Sequence, residues 1–80
     1  MNKDKAKLTV LRECRPTLEE VQDLVGGYVV MVTSKEGIQL LCDEEGLPKG
    51  LPINHNASAL AGRSLCGNVV ALVGSARWTD

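Results

Sequence analysis

Two stretches of this chain leave little choice about its architecture: residues 28–33, YVVMVT, and residues 67–73, GNVVALV. Each is a short run that stays apolar at successive positions and is rich in β-branched valine. Such runs read as strands buried on both faces, hence central in a sheet. After the first run comes Ser34-Lys35-Glu36-Gly37, a four-residue turn with glycine in a favourable late position. The chain then returns as IQLLCD, with Ile38, Leu40 and Cys42 on one face and Gln39, Leu41 and Asp43 on the other. A β-hairpin is predicted over this segment.

Upstream, residues 7–14, KLTVLREC, place Leu8 and Val10 on one face and Leu11 and Glu13 on the other, a mixed pattern that suits an edge strand. Pro16 pushes Arg15 out of helical geometry. Thr17 followed by Glu20 has the spacing of a capping box. Leu18, Val21, Leu24 and Val25 then recur at helical spacing, and Gly26-Gly27 ends the helix. This helix is too short to persist alone and needs a sheet to cover its apolar stripe. Downstream of the hairpin, Asn54 or Asn56 is placed to cap a short helix through Ala61, closed by Gly62. The order β-α-β-β-α-β predicts an α+β fold of two layers, with one mixed or antiparallel sheet of about four strands, one main helix and one short helix. The first strand and residues 28–33 are expected to run parallel across the main helix. A small, partly closed β-barrel is the alternative. Residues 1–80 form one domain, with residues 1–6 and 75–80 expected to be flexible tails and Trp78 to cover an otherwise wet edge.

Composition narrows the function. Tyr28 and Trp78 are the aromatic residues and there is no phenylalanine, so the core must be aliphatic. Nine basic residues stand against ten acidic ones, and this balance provides no field for nucleic acid. Cys14, Cys42 and Cys66 are odd in number and widely spaced, which argues for structural thiols in a reducing compartment rather than a disulfide framework or zinc site. The N-terminus is charged where a signal peptide is apolar, and no stretch approaches the ~18 apolar residues of a membrane span. A cytoplasmic location without membrane contact is expected.

The longest aperiodic segment is residues 41–58, LCDEEGLPKGLPINHNAS, stiffened by Pro48 and Pro52. Asp43, Glu44 and Glu45 suggest cation binding or acid–base work. Three consecutive residues on extended chain alternate in direction, however, and do not converge as a hard-metal site requires. His55 lies between Asn54 and Asn56 without a carboxylate at a motif spacing, and no G-x-S-x-G elbow is present. No catalytic residue, metal site or cofactor is therefore predicted. Asn54 suits bracing of the loop backbone before ligand recognition. The candidate partner- or ligand-binding set is Glu44, Glu45, Gly46, Asn54, His55 and Asn56.

The strings LVGGYV at residues 24–29, LLCDEEGLPKGLPIN at residues 40–54 and GNVVALVG at residues 67–74 resemble the domain of unknown function 3846 family of short bacterial, plasmid and phage proteins. Asp43 stands where that family usually has Asn, and His55 where an Arg commonly follows the Asn. The resemblance implies no known activity, and it implies a phage or mobile-element setting. The expectation is a non-catalytic module that binds a host protein through the 44–56 segment, with a homodimer as a further possibility. The alternative is a small-ligand binder or enzyme using that segment at a dimer interface, since a chain this size rarely encloses a cavity of ~300 Å³ or more.

Overall fold

The structure, a computed structural model, describes residues 6–46 and 48–78. Strand β1 (Leu8–Leu11) leads through helix α1 (Leu18–Val25) to β2 (Val29–Thr33) and β3 (Gln39–Asp43); helix α2 (His55–Ala61), β4 (Val69–Leu72) and a 3-10 turn (Gly74–Ala76) follow. The four strands form one open sheet in the order β1-β4-β3-β2. β1 is parallel to β4, and β4–β3 and β3–β2 are antiparallel. The expected α+β fold with a mixed four-stranded sheet is present, and it does not close into a barrel. β1 and β2 do run in the same direction on either side of α1 in sequence, but β4 and β3 lie between them in the sheet.

Local chemistry sets the elements. The Thr17 hydroxyl accepts from Glu20 N at 3.1 Å while the Glu20 carboxylate accepts from Thr17 N at 2.8 Å, which completes the capping box of α1. Gly26, at φ 95°, closes the helix in the left-handed region. In the hairpin, Ser34 N donates to Ile38 O and Gly37 N to Ser34 O, so the turn falls on residues 34–37 as its composition dictates. Period-two alternation along β3 and β4 then sorts the core. Leu41, Val70 and Leu72 pack with Val21 and Val25 of α1. Leu40, Cys42, Val69 and Ala71 face the other way and pack with Ala57 of α2 and Leu65. The segment around α2 thus adds a short partial cover to the face opposite α1.

One strand sits elsewhere than its composition suggests. The run 28–33 is an edge strand, whereas 67–73 contains the central, fully buried β4. A continuous apolar run states that both faces tolerate burial, not that both receive cover. Here α2 is short and packs over β3 and β4, so Val30 on that face is 45% exposed, while Met31, on the α1 face opposite Leu41, is 41% exposed because α1 does not reach over it. Only part of the helical stripe is covered as well: Val21 and Val25 are buried, while Leu18 and Leu24 are exposed.

The chain's end is tied down through residue 78. Ala76 is completely buried, and Trp78 packs against the α1-side core. Its indole Nε1 donates to Pro16 O at 3.0 Å, and its backbone exchanges bonds with the Gln39 side chain at 2.6 and 2.7 Å. Ala76, Arg77 and Trp78, in the segment read as a C-terminal tail, are packed or hydrogen-bonded, and residues 1–5 and 79–80 lie outside the described residues.

Candidate functional site

β3 delivers Asp43 to the α1 side of the sheet, with a side chain only 3% exposed. The chain turns immediately, so that Glu45 N donates to Asp43 Oδ1 at 2.8 Å and Lys49 Nζ reaches Asp43 Oδ2 at 2.8 Å. Burial pushes the carboxyl pKa upward and is the largest single influence on it. The Lys49 hydrogen bond, the Glu45 amide and the Lys49 charge together outweigh burial and hold Asp43 below the usual carboxylate range. Lys49 moves the other way, raised chiefly by its hydrogen bond to Asp43. Both groups are ionised at neutral pH, and the pair pins the turn as a neutral unit.

Gly27 passes directly over this pair. A methyl group on it would lie 2.9 Å from Lys49 Nζ and 3.1 Å from Asp43 Oδ2, so the absent side chain makes room for the bridge. Tyr28 follows, 77% exposed, and Glu44 N donates to Tyr28 O at 3.0 Å. With Gln22, Asp23 and Gly26 from the end of α1, these residues line an open groove of ≈ 570 Å³. The groove belongs to a single chain and exceeds the cavity size expected of a domain this small; it is an open trough rather than an enclosure.

The electrostatics of the groove are one-sided. Asp23, Glu44 and Glu45 add negative charge, and Lys49, the one cation among the described lining residues, is held by Asp43. The carbonyl end of α1 also faces this region and has no basic residue in its last turn. An exposed tyrosine face beside carboxylates favours cations. The arrangement has the chemistry to accept a cationic group.

The candidates named from sequence do not form one constellation. Glu44 and Glu45 line the groove. Gly46 is buried, a methyl group on it would lie 3.2 Å from Cys66 Cβ, and it borders a separate depression of ≈ 280 Å³. Asn54 is 3% exposed, and its amide is fully committed. Nδ2 donates to Lys7 O (2.9 Å) and Gly67 O (3.0 Å), and Oδ1 accepts from Ala57 N (3.1 Å) as the cap of α2. Its backbone N also donates to Leu65 O at 2.8 Å. His55 and Asn56 are exposed in the first turn of α2 and line neither depression. The 41–58 segment is thus not a uniformly displayed loop. Asn54 ties its second half to β1 and to the entry of β4, and only the acidic turn opens onto the trough.

Gln22, Asp23, Tyr28 and Lys49 were not singled out from sequence. The available signal was Tyr28 after a double glycine, and Lys49 one loop beyond Asp43. Among the described residues, no group of three or more His, Cys, Asp or Glu side chains is placed to hold a metal ion. Within the same residues, no helix is long and apolar enough to cross a membrane. Cys42 and Cys66 are buried in the core and Cys14 is exposed, so the expectation of structural thiols holds for two of the three. Burial raises the Cys42 pKa, the main influence on that thiol.

The family described as Domain of unknown function (DUF3846) matches residues 2–79. The chain belongs to this family. Two of the three strings that carry the resemblance meet in the trough: LVGGYV supplies Gly26, Gly27 and Tyr28, and LLCDEEGLPKGLPIN supplies Asp43, Glu44, Glu45 and Lys49. No curated protein and no solved structure matches the chain.

Proposed function

We propose that this member of the DUF3846 family is a non-catalytic protein-binding module that takes an extended, basic segment of a partner protein against the outer edge of β2, with a lysine or arginine of that segment in the acidic trough. The observation that carries the reading is the trough itself: an exposed Tyr28 and three acids, Asp23, Glu44 and Glu45, that form no ion pair among the described residues, beside a cation already bridged to Asp43. The adjoining edge supports strand addition. Glu44 N bonds to Tyr28 O, and Ser34 N to Ile38 O. Alternation between them turns the backbone groups of Val29, Met31 and Thr33 away from β3, where an added strand would meet them. The phage or mobile-element setting, with a host protein as the partner, comes from the family resemblance alone.

Titration calorimetry with extended peptides bearing one lysine or arginine, against matched acidic peptides, tests this. Binding of the basic series is expected, weakened at least about tenfold, or 1.4 kcal/mol, by E44K/E45K. Equal binding of both series, or none, overturns it. A second reading, a small cationic ligand in the trough, is favoured by its volume, which lies within the roughly 300–1,000 Å³ of small-molecule sites. It predicts that the free cation binds as well as the peptide.

A further inference from the structure

We propose that a second copy of this chain fits the same edge, so that two β2 strands pair antiparallel about a two-fold axis at Met31 into a continuous eight-stranded sheet. This rests on the reading of the β2 edge as a strand-docking surface, and names a specific occupant for it.

The register follows from which backbone groups are available. The outward residues of β2 are Val29, Met31 and Thr33, and two antiparallel copies exchange both bonds of a pair only where outward residues oppose one another. Pairing Met31 with Met31 places Val29 opposite Thr33 of the second copy and engages every outward residue of the strand. The same register sets Val30 opposite Val32 on the face toward α2, and covers apolar side chains that solvent otherwise reaches.

Charge selects the orientation. At the turn end of β2 lie Lys35, Glu36 and Arg77, whose guanidinium reaches Gly37 O at 3.5 Å. At the other end is the trough with Asp23, Glu44 and Glu45. Continuing the Met31-centred register outward sets Lys35 of the second copy opposite Gly27, at the mouth of the trough. A parallel pairing would bring the two acidic ends together. The edge is therefore electrostatically self-complementary in the antiparallel sense alone.

Sedimentation velocity over a concentration series tests the pairing. Wild type is expected to self-associate with a Kd of roughly 10–500 µM, as suits an interface of small area. Met31→Pro removes an outward N–H without touching the ladder to β3, a position where an edge strand tolerates proline, and should leave a folded monomer. Lys35→Glu should weaken association at least about tenfold at low salt, and adding E44K/E45K should restore it by exchanging the charges. If M31P does not fold by circular dichroism, the Lys35 series decides. A wild type that stays monomeric to about 1 mM, or a Lys35→Glu variant that associates like wild type, overturns the homodimer. A monomer that still binds basic peptides discards the homodimer and keeps the binding reading. A charge-sensitive dimer that ignores such peptides at concentrations below its Kd does the reverse.

Discussion

Removing the Asn54 side chain tests most sharply how the second half of the 41–58 segment is held. In Asn54→Ala, α2 loses its cap on Ala57 N, worth about 1 kcal/mol. Two carbonyls, Gly67 O in a buried setting and Lys7 O in a half-buried one that keeps its bond from Val69 N, lose their bonds from Nδ2, at about 1 kcal/mol each. The sum, about 3 kcal/mol, is a large part of the roughly 4–8 kcal/mol expected of a domain this size. Asn54→Asp separates the contributions. It keeps the acceptor that caps α2 but puts a carboxylate oxygen against two carbonyls, so it should be no more stable than the alanine variant despite its better cap. Urea unfolding followed by circular dichroism reads both. With a slope of about 1 kcal/mol/M, the midpoint should fall by roughly 2–3 M for either variant. A loss below about 1 kcal/mol in Asn54→Ala, or an aspartate variant close to wild type, would refute the assignment of Asn54 as a brace.

Asp43→Asn should cost about 1 kcal/mol at neutral pH, a modest figure because the lysine end is 40% exposed and screened by water. The depressed pKa of Asp43 means that its contribution is present above the unfolded value of about 3.9 and is lost as pH falls through the lower folded value; wild type should therefore lose stability in that acid window more steeply than Asp43→Asn in pH-dependent melts. Gly27→Ala places a methyl against Lys49 Nζ and Asp43 Oδ2 and should destabilise by about 1 kcal/mol, with a smaller cost in an Asp43→Asn background if the bridge is what it disturbs; additive costs in the double-mutant cycle would contradict this. In native protein a thiol reagent at neutral pH should modify Cys14 and spare Cys42 and Cys66 until denaturant is added, whereas rapid native labelling of all three would contradict their burial.

What was legible in the sequence was what short-range chemistry decides. Thr17 and Glu20 are three residues apart, and their capping box formed as their spacing required. The turn at residues 34–37, the alternation along β3 and the Asn54 cap of α2 are likewise local. The burial of β4 was legible because its neighbours cover both faces. The placement of β2 was not, since its run 28–33 carries the same apolar signal, and only the reach of α1 and α2 across the two faces decides which strand receives cover. Trp78 gave no hint of its partners because Pro16 and Gln39 lie 62 and 39 residues away. The trough was illegible for a related reason. Its acids are visible in the string DEEG, but Asp23, Tyr28 and Lys49 come from other parts of the chain and join them only once α1 and the hairpin are packed. Grouping His55 and Asn56 with Glu44 and Glu45 followed nearness in sequence, which the path of residues 48–54 undoes.

Amide chemical shifts of isotope-labelled protein, held dilute enough to be monomeric and titrated with an extended lysine-bearing peptide, test the central claim most directly. Saturable shifts are expected at Gly26, Gly27, the outward amides of Val29, Met31 and Thr33, and Glu44 and Glu45, and they should vanish in E44K/E45K. Shifts centred on His55 and Asn56, or no shifts at millimolar peptide, would contradict the account.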